Sequence, residues 1–196
     1  MLVLVRHGQS ELNAAGRLAG RLDTPLTALG VAQAKAVAAA VLDVGVPDAV
    51  ICSSLRRARD TASAIGGPVV VDDRWIELDY GPHDGLLLDD VPSEMWAGLR
   101  NDVRWAPPGG ESLGALGDRV RAACEELSGG PEGLTVVVSH VSPIKAAVAW
   151  ALGVGDEVAW RMFVAPASVT VIGAGAVGPS LRAFNITSHL DGVVAG

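Results

Sequence analysis

Apolar residues gather in six short runs along the chain: Leu2–Val5, Ala49–Cys52, Pro68–Val71, Thr135–Ser139, Val169–Ile172 and Leu181–Ile186. They are short and rich in β-branched side chains, the pattern of strands, several of them buried on both faces. Longer stretches with helical spacing lie between them. Thr27–Val44 is rich in alanine and ends before Gly45 and Pro47. Leu55–Ile65 follows Ser53 and Ser54, which read as its N-cap. Ser112–Leu127 opens on a capping serine and stops at Gly129 and Gly130. Pro143–Leu152 has Ser142 as N-cap, a proline at the first helical position and Gly153 as its stop. This alternation predicts an α/β fold: a three-layer sandwich with a mixed, mostly parallel sheet and helices on both faces.

One stretch breaks the alternation. Residues 80–110 carry Pro82, Pro92, Pro107 and Pro108 together with Trp96 and Trp105. Such a segment inside a compact domain is expected to form a pocket wall or lid. There is no internal repeat and no low-complexity linker, so the 196 residues are expected to form one domain, 1–196.

Composition sharpens this picture. Hydrophobic residues make up 49% of the chain, enough for a substantial core and too many for a disordered polymer. The net charge of -7 argues against nucleic acid or an anionic membrane as partner, because both require clustered Lys and Arg. A small anionic ligand stays open if a few arginines converge. No apolar run is long enough to span a bilayer. Leu2–Val5 is reached without a basic leader, so a secretion signal is not expected and a cytoplasmic location is. Cys52 and Cys124 show neither CxxC nor zinc-like spacing and read as reduced, partly buried thiols.

Candidate chemistry sits where strands end. Arg6-His7-Gly8-Gln9-Ser10 follows the first strand, and ligands of α/β sheets bind beyond such carboxyl ends. A neutral imidazole there can attack phosphorus, while a neighbouring guanidinium neutralises phosphoryl oxygens. Ser53-Ser54-Leu55-Arg56-Arg57-Ala58-Arg59-Asp60-Thr61-Ala62 repeats the layout, with a helix N-terminus that favours anions. Ser139-His140-Val141 ends another strand before another helix, and His140 can donate to a phosphoryl oxygen, above all when protonated. Glu77 can protonate a leaving oxygen and then serve as base for water, with Asp79 as a rival that spacing does not separate. Taken singly, each motif also fits a surface histidine, a solvated basic face or a structural carboxylate. Their recurrence at three strand ends is what points to phosphate chemistry.

With these motifs in this order, the chain resembles the histidine phosphatase superfamily, which includes phosphoglycerate mutase-like enzymes, from Leu2 to about Ile186. The carrying residues are Arg6-His7-Gly8-Gln9-Ser10 with Asn13, Ser54 to Ala62, Glu77 with Asp79-Tyr80-Gly81 and Gly85, Gly109-Gly110-Glu111-Ser112, and Ser139-His140. The resemblance implies a phosphoglycerate mutase-like fold, His7 as a nucleophile that becomes phosphohistidine, and Glu77 as proton donor. Arg6, Asn13, Arg57, His140 and Val141 would bind the phosphate, with Arg56 and His83 unassigned, and no metal or cofactor is implied. Ala19 stands where mutases of the family often carry a small polar residue, and the stretch from Glu77 to Gly109 is shorter than in those mutases. Both departures favour a phosphomonoester hydrolase acting on a small phosphorylated metabolite. The alternatives are a mutase and a non-catalytic phosphometabolite-binding protein. Trp75, Trp96, Trp105, Met95 and Leu86–Leu88 are candidates for a leaving-group pocket or for core. Val193–Ala195 could pack on a second copy in a homodimer or fray.

Overall fold

A computed structural model of the protein describes residues 1–129, 133–175 and 178–195. Six strands, β1 (Leu2–Arg6), β2 (Ala49–Cys52), β3 (Val69–Val71), β4 (Thr135–Ser139), β5 (Val169–Gly175) and β6 (Gly178–Ile186), form one sheet in the order β3-β2-β4-β1-β5-β6. The pairs β1–β4, β2–β3 and β2–β4 are parallel; β1–β5 and β5–β6 are antiparallel. The expected mixed sheet is present, and all six strands fall on the six apolar runs.

The runs lack polar alternation because both faces of the central strands are covered. Leu2, Leu4, Ile51, Val137 and Ile172 face one layer, built by α5 (Leu113–Gly129) and α6 (Val141–Leu152). Val3, Val5, Val50, Cys52, Val136 and Val138 face the other, built by α2 (Ala28–Val44) and α3 (Arg56–Ile65). Cys124 and Cys52 lie in these opposite layers, both buried and free. Burial pushes their thiols up to about 12 and about 11, so both are protonated at neutral pH and poor nucleophiles.

Several helix starts differ from expectation. The N-cap of α3 is Leu55, with no side-chain cap; the Arg56 amide donates instead to Asp23 Oδ1 at 2.6 Å. The N-cap of α6 is His140 rather than Ser142, and its first amides are bound by Glu77, as described below. Ser112 does cap α5, accepting from the Ala115 amide at 3.1 Å; Gly130, half of its expected stop, lies outside the described residues. Two helices were not expected: the single turn α1 (Glu11–Ala14) and α4 (Ser93–Asn101), which sits within the proline-marked segment. Pro92 is the N-cap of α4, Pro82 lies inside a short 3₁₀ turn, and Pro107 and Pro108 lie in the loop before α5, so the segment is a helix between loops rather than continuous loop.

One contact between glycines sets the depth of the loop after β1. A side-chain carbon on Gly8 would collide with the Gly30 carbonyl, and one on Gly30 with the Gln9 carbonyl. Gly30 lies in the first turn of α2, where alanine has the better helix propensity by about 1 kcal/mol. Backbone cannot yield as a flexible side chain can, so overpacking, at about 1–3 kcal/mol, outweighs that gain. Gly30→Ala is therefore expected to lower the thermal unfolding midpoint, whereas a substitution governed by helix propensity alone would raise it.

Candidate active site

β1, β4 and β2 end side by side: Arg6 pairs with Ser139, and Val138 with Cys52. The residues just beyond, His7, His140 and Ser53, thus share the carboxyl edge of the sheet. The His7 and His140 ring centroids lie 5.0 Å apart, their planes tilted by 59°. His7 is 2% exposed and His140 0%.

The orientation of His7 fixes which nitrogen is reactive. Its Nδ1 is 2.7 Å from the Gly8 carbonyl, which can only accept, so Nδ1 carries the proton and Nε2 the lone pair. Arg57 Nε donates to that lone pair at 3.2 Å. The rest of the Arg57 guanidinium is fixed by main chain: Nη2 donates to the Gly20 carbonyl at 2.6 Å and Nη1 to Leu22 at 2.8 Å. Asp84 fixes that loop in turn, accepting from the Gly20 amide at 2.6 Å and the Leu22 amide at 2.8 Å. Thr61, one turn along α3, accepts from the Gly8 amide at 3.1 Å. The two sequence motifs around His7 and Arg57 are thereby tied together by the Thr61 hydroxyl on the Gly8 amide and by Arg57 on His7.

His140 Nε2 lies 2.7 Å from Ser53 Oγ, while its Nδ1 is buried without a partner among the described residues. With the Ser53 hydroxyl donating, Nδ1 becomes an N–H donor. Arg6 Nη1 donates to the Val164 carbonyl at 2.6 Å, and Arg6 Nε is likewise buried and unpartnered. Buried unsatisfied donors are uncommon because each costs about 1–3 kcal/mol. Two such groups beside a buried imidazole suit an acceptor-rich anion. None of the ion pairs among the described residues includes Arg6 or Arg57.

Glu77 closes the opposite side. Its carboxylate accepts from the amides of Leu78 at 2.7 Å, Val141 at 3.0 Å and Ser142 at 3.2 Å, occupying the N-terminus of α6. Val141, expected to face phosphate, thus gives its amide to Glu77. The Glu77 carbonyl accepts from Arg21 Nε at 3.2 Å and Arg119 Nη2 at 3.4 Å, and Glu111 ties these arginines together at 3.0 and 2.8 Å. Asp79, the rival carboxylate, pairs with Arg21 at 3.4 Å and accepts from the Gly81 amide at 2.9 Å. It belongs to the support of Glu77, which separates the two. Asn13 Oδ1 accepts from the amide and hydroxyl of Ser10, capping α1, and no recorded bond joins it to His7. Arg56 is exposed and pairs with Asp60 at 3.4 Å, and His83 is half-buried in a short 3₁₀ turn, Gly81–His83.

Burial, then the Arg57 and Arg6 charges, holds the His7 pKa well below its usual value of 6.5. The imidazole is therefore neutral at neutral pH, as a nucleophile must be. His140 is lowered for the same reasons, burial first and Arg57 and His7 next. His140 is therefore neutral at rest, and the donation to phosphate read from the sequence runs through its Nδ1–H when the Ser53 hydroxyl donates to Nε2. Burial also lowers both guanidinium groups, Arg6 to about 10, and both remain charged.

A cavity of about 200 Å³ opens on the Glu77 side, lined by Tyr80, Trp96, Trp160, Val141, Ser142 and Lys145 among others. Of the apolar residues expected there, Trp96 lines it. Trp75 and Met95 belong to the core cluster, Leu86 and Trp105 pack against it, and Leu87 and Leu88 are exposed. A larger cavity of about 310 Å³ lies at the opposite strand ends around Met1, Leu2 and Thr135, and among the described residues no ionisable side chain lines it; the candidate chemistry sits beside the smaller one. Sequence reading missed Arg21, Ser53, Asp84, Arg119, Lys145 and Trp160. Lys145 had a signal: it is one of two lysines in the chain and the one charged residue of α6.

A family model for the histidine phosphatase superfamily (branch 1) matches residues 2–187. A bifunctional protein of Mycobacterium tuberculosis is 38% identical over 198 residues, covering 96% of this chain and 54% of that protein. The chain thus spans about half the length of such relatives. A glucosyl-3-phosphoglycerate phosphatase of Mycolicibacterium vanbaalenii is 40% identical over 167 residues, covering 78% of this chain and 74% of that protein. The solved structure of a mycobacterial glucosyl-3-phosphoglycerate phosphatase with VO3 superposes with a TM-score of 0.85 and 33% identity, covering 95% of this chain and 98% of that one.

Two depressed imidazoles tie stability to pH. Below about pH 6.5 the unfolded chain takes up protons that folded His7 and His140 refuse, so the unfolded state gains. Stability is complete above the unfolded value and falls as pH drops toward the depressed folded values. The slope reaches about 1.4 kcal/mol per pH unit for each imidazole. Urea unfolding between about pH 7.5 and pH 5 is expected to show this slope in the wild type and a shallower one in His140→Gln.

Proposed function

The chain belongs to the histidine phosphatase superfamily, and on that footing we propose that residues 1–196 form a single phosphomonoester hydrolase domain working through a phosphohistidine at His7. The observation that carries this reading is the arrangement around Nε2: a neutral imidazole with its lone pair directed at a buried, unpaired guanidinium, flanked by the unpartnered donors of Arg6 and His140. An incoming phosphoryl group brings the negative charge and the acceptors that these groups match.

In the first step, Nε2 of His7 attacks phosphorus and the bond from phosphorus to the ester oxygen breaks. Glu77, entering that step protonated, gives its proton to the departing oxygen. In the second step, the Glu77 carboxylate takes a proton from water, the water oxygen attacks the phosphohistidine, and the phosphorus–nitrogen bond breaks to release phosphate. Arg6, Arg57 and His140 hold the phosphoryl oxygens through both steps, which is the electrostatic part of such catalysis. This charge neutralisation needs no metal. Ser53 positions His140 by fixing its tautomer, and Asp84 positions Arg57 through the loop at Gly20–Leu22.

Hydrolysis, rather than phosphoryl exchange, is supported by the named phosphatase relatives and by the short segment after Glu77. The substrate proposed at this level is a small phosphorylated metabolite. The acidic chain gives no support to a nucleic-acid partner, and a cytoplasmic location is consistent with two free, buried thiols.

His7→Ala is expected to abolish release of inorganic phosphate from p-nitrophenyl phosphate, a loss of at least about a thousandfold. Full activity in that variant would reject the reading. Glu77→Gln carries a finer signature. It should depress turnover of an alkyl phosphate far more than that of p-nitrophenyl phosphate, whose leaving group needs little protonation. Equal losses on both esters would place Glu77 outside proton transfer to the leaving group.

A further inference from the structure

Lys145 lies in the second turn of α6 and lines the cavity next to Glu77. It is half-buried, and no hydrogen bond or ion pair of its ammonium group is recorded among the described residues. A stabilising surface role would place it outward like Lys35, which is exposed on α2. The charges that act on Lys145 are Glu77, favourably, and Arg6, unfavourably, and burial disfavours its charged form. Glu77 does not quench it, because the carboxylate is bound by the amides of Leu78, Val141 and Ser142. A half-buried ammonium beside that cavity is available to pair with an anion that enters it.

The walls around it are aromatic. Tyr80 and Trp96 meet edge to face with centroids 6.1 Å apart, and Trp96 and Trp160 likewise at 6.3 Å. The guanidinium of Arg100 lies 5.9 Å from the Trp160 ring centroid, holding that indole in place. Because Glu77 protonates the leaving oxygen under the proposed reaction, the cavity on its side receives the leaving group. We propose that Lys145, with Tyr80, Trp96 and Trp160, selects phosphomonoesters whose leaving group carries a carboxylate on a ring-shaped or otherwise apolar body. A second phosphate fits less well: it brings two charges to one ammonium, whereas phosphate sites gather several donors. This inference rests on the hydrolase reading above and adds the chemical class of its substrate.

The test compares phenyl phosphate with its ortho-, meta- and para-carboxyphenyl analogues and with phenylene bisphosphate, reading kcat/KM for each. In the wild type, at least one carboxyphenyl isomer is expected to exceed phenyl phosphate by about tenfold, the worth of a charge-assisted hydrogen bond, and to exceed the bisphosphate. In Lys145→Met that ratio should collapse to within about threefold of unity, whatever the variant does to phenyl phosphate itself, and Lys145→Arg should restore part of it. Thermal unfolding of both variants checks that they fold. A wild-type ratio at or below unity for every isomer, a preference for the bisphosphate, or an unchanged ratio in a folded Lys145→Met would overturn the proposal while leaving the hydrolase reading intact. Failure of the wild type to hydrolyse any of the esters would overturn both.

Discussion

A buried guanidinium facing a neutral imidazole, with no carboxylate paired to it, is the constraint around which this site is organised. Arg57 is fully buried, yet its partners are two main-chain carbonyls and a histidine nitrogen. Such a charge is tolerated only when every remaining donor is aimed with care, and the fold supplies that aim in tiers. Asp84 holds the loop, the loop holds Arg57, and Arg57 faces His7. The positive field does two things at once. It adds to the burial that keeps both imidazoles unprotonated, and it makes the site a receptor for a compact anion. An acidic protein thereby concentrates positive charge in one place while its overall charge stays at -7.

The opposite wall follows a different logic. Glu77 sits on the amides that open α6, so helix geometry and not a cation positions it. Its own main chain is gripped by Arg21 and Arg119, which Glu111 joins. The spacing between acid and cations is therefore set by two separate frameworks, one on each side of the sheet edge. Lys145 projects from the same helix whose first turn carries Glu77, so the proposed leaving-group selection and the proposed proton transfer share one scaffold.

Much of this was legible in the sequence because it is local. Unbroken β-branched runs announce strands covered on both sides, and His7, Arg57 and His140 each follow such a run or open the helix after it. What was not legible depends on tertiary contact. Ser53 and Ser142 looked like helix caps, but Ser53 reaches His140 at the end of the neighbouring strand β4, and the amides of Val141 and Ser142 are taken by a carboxylate more than sixty residues away. Glu77 and Asp79 could not be separated by spacing, since only the ion pair with Arg21 reveals that Asp79 is support. The neutral state of His140 was not legible either, because the burial and the neighbouring guanidinium that lower its pKa are set by residues remote in sequence. Helix α4 went unseen because Pro92, read as a loop marker, is its N-cap.

The central claim is that phosphorus changes partners twice, first to Nε2 of His7 and then to water. The stereochemical course at phosphorus tests this most directly, using an aryl phosphate made chiral with oxygen isotopes and an alcohol acceptor in place of water. Two in-line displacements at this site give net retention of configuration. Net inversion would mean a single direct transfer, with His7 in some other role.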